Sequence, residues 1–166
     1  MDEHHSHRGH GPLLHRKSGH AALRKGRVSL GHTVYLITAT TDKREPRFAY
    51  FPAACSAARC FEDRALLGES RMLAWVLMPD HAHWLLQLGD KDRLGDVVGR
   101  LKSASSRQAN RLLDRQGPLW AKTFHDHALR AEDGLQAVAR YIVANPRRAG
   151  LVKRIGDYPF WNAIWL

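Results

Sequence analysis

The chain has 166 residues, with 26 Lys and Arg against 16 Asp and Glu, a formal net charge of +10. That length supports one domain with a true core and is short for two. Two cysteines are too few for a disulfide framework or a cysteine-rich zinc site, and no apolar run approaches the roughly 18 residues needed to span a bilayer.

The basic surplus fits a polyanionic partner, nucleic acid above all, although a merely basic soluble surface would carry the same charge. No apolar secretory core opens the sequence, so the expectation is a cytosolic protein in a reducing compartment. Residues 1–30 hold six of the eleven histidines, with Gly and Arg and no sustained period. Such a composition describes a basic, flexible arm in preference to a metal-binding tail. Residues 31–166 form the expected domain, and no internal repeat is visible.

His32–Thr41 is β-branched and aromatic, and reads as a strand. After a polar connection with Pro46, the alanine-rich stretch Ala53–Leu67 reads as a helix ended by Gly68. "RMLAWVLM" is a continuous apolar run short enough for a central strand, Pro79-Asp80 makes a tight turn, and "HAHWLLQL" returns as a second strand. Arg93–Arg115 is a long amphipathic helix whose buried stripe is Leu94, Val97, Leu101, Ala104 and Leu112. Arg93, Arg100, Arg107, Arg111 and Arg115 fall on one narrow face beside that stripe. They form either a solvated edge or a phosphate-contacting face, and mutual repulsion favours the second.

"GPLWAKTFHDHALR" holds a turn and a short strand, and "AEDGLQAVARYIVAN" is a second amphipathic helix stopped by Pro146. The last stretch, basic first and aromatic afterwards, is expected to pack back onto the domain. Alternating strands and helices, with the two central strands joined by a hairpin, predict an α+β fold. Its form would be a ferredoxin-like sandwich around an antiparallel sheet.

Two constellations carry possible chemistry. Residues i and i+2 of a strand share a face, so His81 and His83 project together while Ala82 and Trp84 turn away. They are either half of a divalent-metal site or satisfied histidines, and H-x-H alone does not decide. On the second helix Tyr141 lies off the stripe of Leu135, Val138, Ala139 and Ile142, with Asn145 four residues on and the Arg147-Arg148 pair beyond. A half-exposed tyrosine with its hydroxyl in water is the plain reading. The alternative is a phenol that attacks a phosphodiester while a metal bears part of the developing charge.

The runs "AWVLMPDHAHWLLQL", "GPLWAKTFHDHALR" and "YIVANPRRAGLVKRIGDYPFW", in that order, resemble the single-tyrosine HUH transposases. The likeness is strongest to the bacterial branch associated with repetitive extragenic palindromes, and covers most of the chain from Gly31 to Trp161. It implies an enzyme that cuts and rejoins single-stranded DNA near hairpins with Mg²⁺ or Mn²⁺, acts as a monomer or, as in some relatives, a homodimer, and resides with the bacterial nucleoid. By the same carry-over His81 and His83 are the metal pair, and Tyr141 is the nucleophile forming a 5′-phosphotyrosine. Asn145 stands where relatives have a polar ligand, often glutamine, and Ala82 is small where the motif has a bulky hydrophobe. The resemblance gives His125 and His127 a structural or DNA-facing role and no second metal site. The competing reading is a domesticated module that binds DNA hairpins without cutting them.

Overall fold

A computed structural model describes residues 32–130 and 134–166. The basic arm expected over residues 1–30 lies outside the described residues. Five strands, β1 (Val34–Thr40), β2 (Arg71–Met78), β3 (His81–Gln87), β4 (His125–Ala128) and β5 (Trp161–Ala163), make one antiparallel sheet in the order β4-β1-β3-β2-β5. The helices are α1 (Phe51–Ala58), α2 (Arg64–Leu67), α3 (Leu94–Leu112), α4 (Leu135–Val143) and α5 (Asn145–Arg148). The first four strands with α1 and α3 reproduce the expected ferredoxin-like α+β arrangement, to which β5 adds an edge.

Side chains alternate across the sheet, and each face has its own core. Ile37, Ala39, Leu77, Ala82, Trp84 and Leu86 pack against α1 and α3. Trp84 is fully buried there between Phe61 and Trp120, in tilted edge contacts with ring centroids 5.1 and 5.9 Å away. Leu73, Val76, Met78 and Leu85 face the other way and are covered by Ala139, Ile142 and Val143. β2 therefore has both faces covered, which is why it reads as an unbroken apolar run.

Four details depart from the sequence reading. The alanine-rich helix is not continuous to Leu67: it passes into a 3₁₀ turn at Arg59–Glu62 and restarts at α2, where the Asp63 carboxylate accepts the Ala65 N–H at 2.8 Å. Leu112 is exposed, and Val98, Ser105 and Ala109 complete the buried stripe of α3 in its place. Helix α3 ends at Leu112, so Arg115 lies beyond it and donates to Asn110 Oδ1 at 2.8 Å. Pro146 does not end the helical path outright. It sits in the first turn of α5, where a missing N–H costs nothing.

The segment before α3 is fastened by one carboxylate. Asp92 accepts from Glu69 N (2.8 Å), Ser70 Oγ (2.7 Å) and Arg100 Nη2 (3.2 Å), and Arg100 Nε reaches Leu66 O at 2.7 Å. Burial alone would raise the Asp92 pKa, but the hydrogen bonds from Ser70, Arg100 and Glu69 outweigh it and hold the value below normal. Asp92→Ala is expected to lower stability by about 2 kcal/mol in urea unfolding, the cost of stranding these donors. Because the folded value is depressed, the contribution is present above the unfolded pKa of about 4 and lost as pH falls below it. The variant should lack that part of the acid limb.

Candidate active site

The hairpin between β2 and β3 delivers the two histidines. Its turn is pinned from the end of β1: Thr41 N and Oγ1 donate to Asp80 O at 2.9 and 3.0 Å, and Phe48 N donates to Pro79 O at 2.9 Å. His81 and His83 follow at once on the face that carries α4, with ring centroids 4.9 Å apart and planes near perpendicular at 84°. Pairing sets Thr40 opposite His81 and Thr38 opposite His83.

Each imidazole is held through Nδ1. His81 Nδ1–H donates to Asp80 Oδ1 at 2.6 Å, and His83 Nδ1 lies 2.9 Å from Thr38 Oγ1. In the tautomer whose Nδ1–H donates to that hydroxyl, the lone pair of His83 sits on Nε2, as it does on His81. Both lone pairs then lie on Nε2, on two rings that share one face of the sheet, a pairing that suits a divalent cation. Burial, then the neighbouring charges of His81, Arg148 and Arg44, lower the His83 pKa from 6.5 to about 4, which keeps the ring in its neutral, ligating form.

Asp80 also faces Arg44, whose Nε is 3.4 Å from Oδ2. Lys43 and Arg44 adopt positive φ of 53° and 58°, a conformation costing non-glycine residues on the order of 1 kcal/mol each. Neither Asp80, Thr38 nor Arg44 was singled out from sequence. Asp80 stands beside His81 in the turn, and Thr38 could have been found by pairing the polar positions of the first strand with the histidine strand.

On the same layer, Tyr141 stands out from α4 with 57 % of its surface exposed. Arg148 Nη2 donates to its hydroxyl at 2.8 Å, and the guanidinium carbon lies 4.0 Å from the ring centroid. Arg148 is also among the charges that act on His83. The Asn145 carboxamide nitrogen is buried without a hydrogen-bond partner. An unpartnered carboxamide can turn over to offer its oxygen, which is a cation ligand. Among the described residues no group of three or more His, Cys, Asp or Glu is placed to hold a metal ion.

The arginines divide. Arg148 joins the tyrosine, and Arg147 points from α5 into a neighbouring cavity. Arg100, Arg107 and Arg111 belong to α3, with Arg93 immediately before its first residue, and α3 packs on the opposite face of the sheet. Of these Arg100 is engaged by Asp92 and Leu66, while Arg93, Arg107 and Arg111 are exposed. The fold therefore does not bring the α3 arginines to the histidine–tyrosine centre. His125 and His127 lie on β4, paired opposite Thr38 and Leu36, and so share the sheet face of the histidine pair two strands away.

A family profile described as "Transposase IS200 like" matches residues 32–145. A protein of Escherichia coli (strain K12) named REP-associated tyrosine transposase is 30 % identical over 92 residues, 52 % of this chain and 50 % of that protein. A Haemophilus influenzae protein provisionally given the same name is 30 % identical over 98 residues, 53 % of this chain and 56 % of its own length. The chain thus aligns with about half the length of these curated relatives. Among solved structures, a REP-associated tyrosine transposase bound to a REP hairpin superposes with a TM-score of 0.61 at 21 % identity, covering 81 % of this chain and 79 % of the other. That likeness bears on the fold.

The buried, neutral His83 makes stability depend on pH. Its folded pKa is depressed, so the unfolded chain binds the extra proton and stability falls as pH drops from about 6.5 towards 4. Urea titrations at pH 7 and 4.5 should show a loss of up to about 3 kcal/mol from this group. The His83→Gln variant should lack that increment, and an equal loss in both proteins would contradict the assignment.

Proposed function

This chain belongs to the IS200-like transposase family, and from that premise we propose a metal-dependent single-stranded DNA endonuclease and strand transferase. Its substrate would be DNA at hairpins of the repetitive-palindrome type, with which the related proteins are named. The observation that carries the reading is an exposed phenol held by Arg148, whose charge also acts on His83, together with a same-face histidine pair fixed through Nδ1.

Tyr141 Oη attacks the phosphorus of a single-stranded phosphodiester. The P–O bond to the 3′ oxygen breaks, the 3′ oxygen leaves as a hydroxyl after taking up a proton, and the phenol loses its own. The product is a 5′-phosphotyrosine that keeps the energy of the broken bond for rejoining. Arg148 first orients the phenol and then, as the phenolic oxygen becomes an ester, offers its N–H groups to the charged phosphoryl oxygens. A Mg²⁺ or Mn²⁺ ion bound by His81, His83 and Asn145 would supply Lewis-acid polarisation of the non-bridging oxygens. Asp80 and Thr38 keep both rings turned with Nε2 outward, and burial keeps His83 unprotonated. Arg93, Arg107 and Arg111, on the far layer, would meet DNA only away from the cleaved bond, for example along a hairpin stem.

Two variants test the reading. With labelled hairpin DNA and Mn²⁺ on a denaturing gel, Tyr141→Phe should abolish the covalent adduct while hairpin binding persists. Survival of the adduct would remove Tyr141 from its role, and a wild-type protein that binds hairpins without any adduct would be a non-cleaving module. Thr38→Val frees the His83 ring to rotate, and should raise the Mn²⁺ concentration needed for half-maximal adduct formation by about 10- to 100-fold.

A further inference from the structure

We propose that a cation-lined cavity beside α4 and α5 is a subsite for the backbone of the single strand next to the cleaved phosphodiester, an inference that rests on the strand-transferase reading above. The cavity has a volume of about 590 Å³. Arg140, Arg147, Lys153 and Arg154 line it, together with the apolar Val143, Ala144, Ile155 and Leu166, so that its lining side chains carry four positive charges and no negative one. At this size it admits a nucleotide unit.

The cavity is built by a chain reversal. After α5, Leu151 N donates to Pro146 O at 2.9 Å and Gly150 takes a φ of +72°, which turns the chain back alongside α4. The returning segment is fixed in place, since Trp161 Nε1 donates to Ile155 O at 3.2 Å and Asp157 N to Arg154 O at 3.1 Å. Lys153 and Arg154 are thereby held facing Arg140 and Arg147.

Complementarity to helix C-termini accounts for Arg140 and Arg147 taken singly. It does not account for the two further cations set opposite them. Arg154 shares its Nε with Asp157 at 3.5 Å, a pair with side chains 85 % and 52 % exposed, and such a pair relieves little repulsion. Four cations around one concavity are stabilised by a bound anion. The floor is aliphatic, with no aromatic platform, so the phosphate is the recognised element and the base contributes little.

Position links the cavity to the reaction. Arg148 is on the Tyr141 hydroxyl, and its neighbour Arg147 lines the cavity. A strand whose scissile phosphate lies at Tyr141 and which continues over α5 passes from one arginine to the other. The cavity then holds the flanking strand in register for attack.

The test uses Lys153→Gln/Arg154→Gln, two exposed positions outside the catalytic machinery. Affinity is measured by fluorescence anisotropy across a salt series for labelled (dT)15 and for a blunt duplex. The double variant should bind (dT)15 on the order of tenfold more weakly, with a salt slope shallower by about 1.4, while duplex affinity is unchanged. Unchanged binding of (dT)15, or equal weakening on the duplex, would overturn the subsite. Adduct formation by the wild type with hairpin DNA is scored in parallel. An adduct without selective loss in the variant removes the subsite alone. Selective loss with no wild-type adduct removes the strand-transferase reading and leaves a single-strand binding site.

Discussion

The antiparallel pairing of β1 with β3 is the constraint on which the centre depends. Its register sets Thr38 opposite His83 and Thr40 opposite His81, and the two-residue period of the strand then assigns every other side chain to one face. A slip of one residue would send both histidines into the packing of Phe61 and Trp120, and Trp84 out among the polar groups. Burial of Trp84 therefore holds the imidazoles in place. The turn at Pro79-Asp80, tied to Thr41 and Phe48, removes the remaining freedom at the strand's start.

A sheet covered on both sides separates structural and chemical tasks. The α1–α3 side is aromatic and aliphatic, with Ser105 and Trp120 satisfying each other inside it at 2.9 Å. The α4 side is apolar only along the middle strands, and turns polar at the ends of β1 and β3, where the histidines emerge. Tyr158 ties the tail to this frame by donating its hydroxyl to Leu77 O at 2.6 Å, and β5 closes the edge of β2. The tail is thus part of the sheet and of the wall that α4 packs against.

Charge is distributed to match. Around the histidines one acid, Asp80, stands among His81, Arg44 and, further out, Arg148, so the field disfavours a proton on His83. Beside α5 four cations, Arg140, Arg147, Lys153 and Arg154, gather around one cavity. The first arrangement preserves lone pairs on nitrogen, and the second complements an anion. Both suit the chemistry of a phosphodiester.

Much of this was legible in the residues. Period-two alternation in "HAHWLLQL" assigned both histidines to one face, and helical spacing placed Tyr141 off the buried stripe, because these relations are local to one element. The same local geometry put five arginines on one face of the long helix, yet could not say which side of the sheet that helix covers. Only the packing of α3 decided this, and it placed them away from the histidines. Equally non-local are Thr38 on His83, separated by 45 residues, and the reversal at Gly150 that sets Lys153 and Arg154 across from Arg140 and Arg147. The short strand β5 carried no periodic signal, since three residues become a strand only when an open edge accepts their backbone hydrogen bonds. Sequence by itself determined which side chains share a face. Tertiary structure decided which faces meet, because strand register and layer assignment come from burial shared between distant segments.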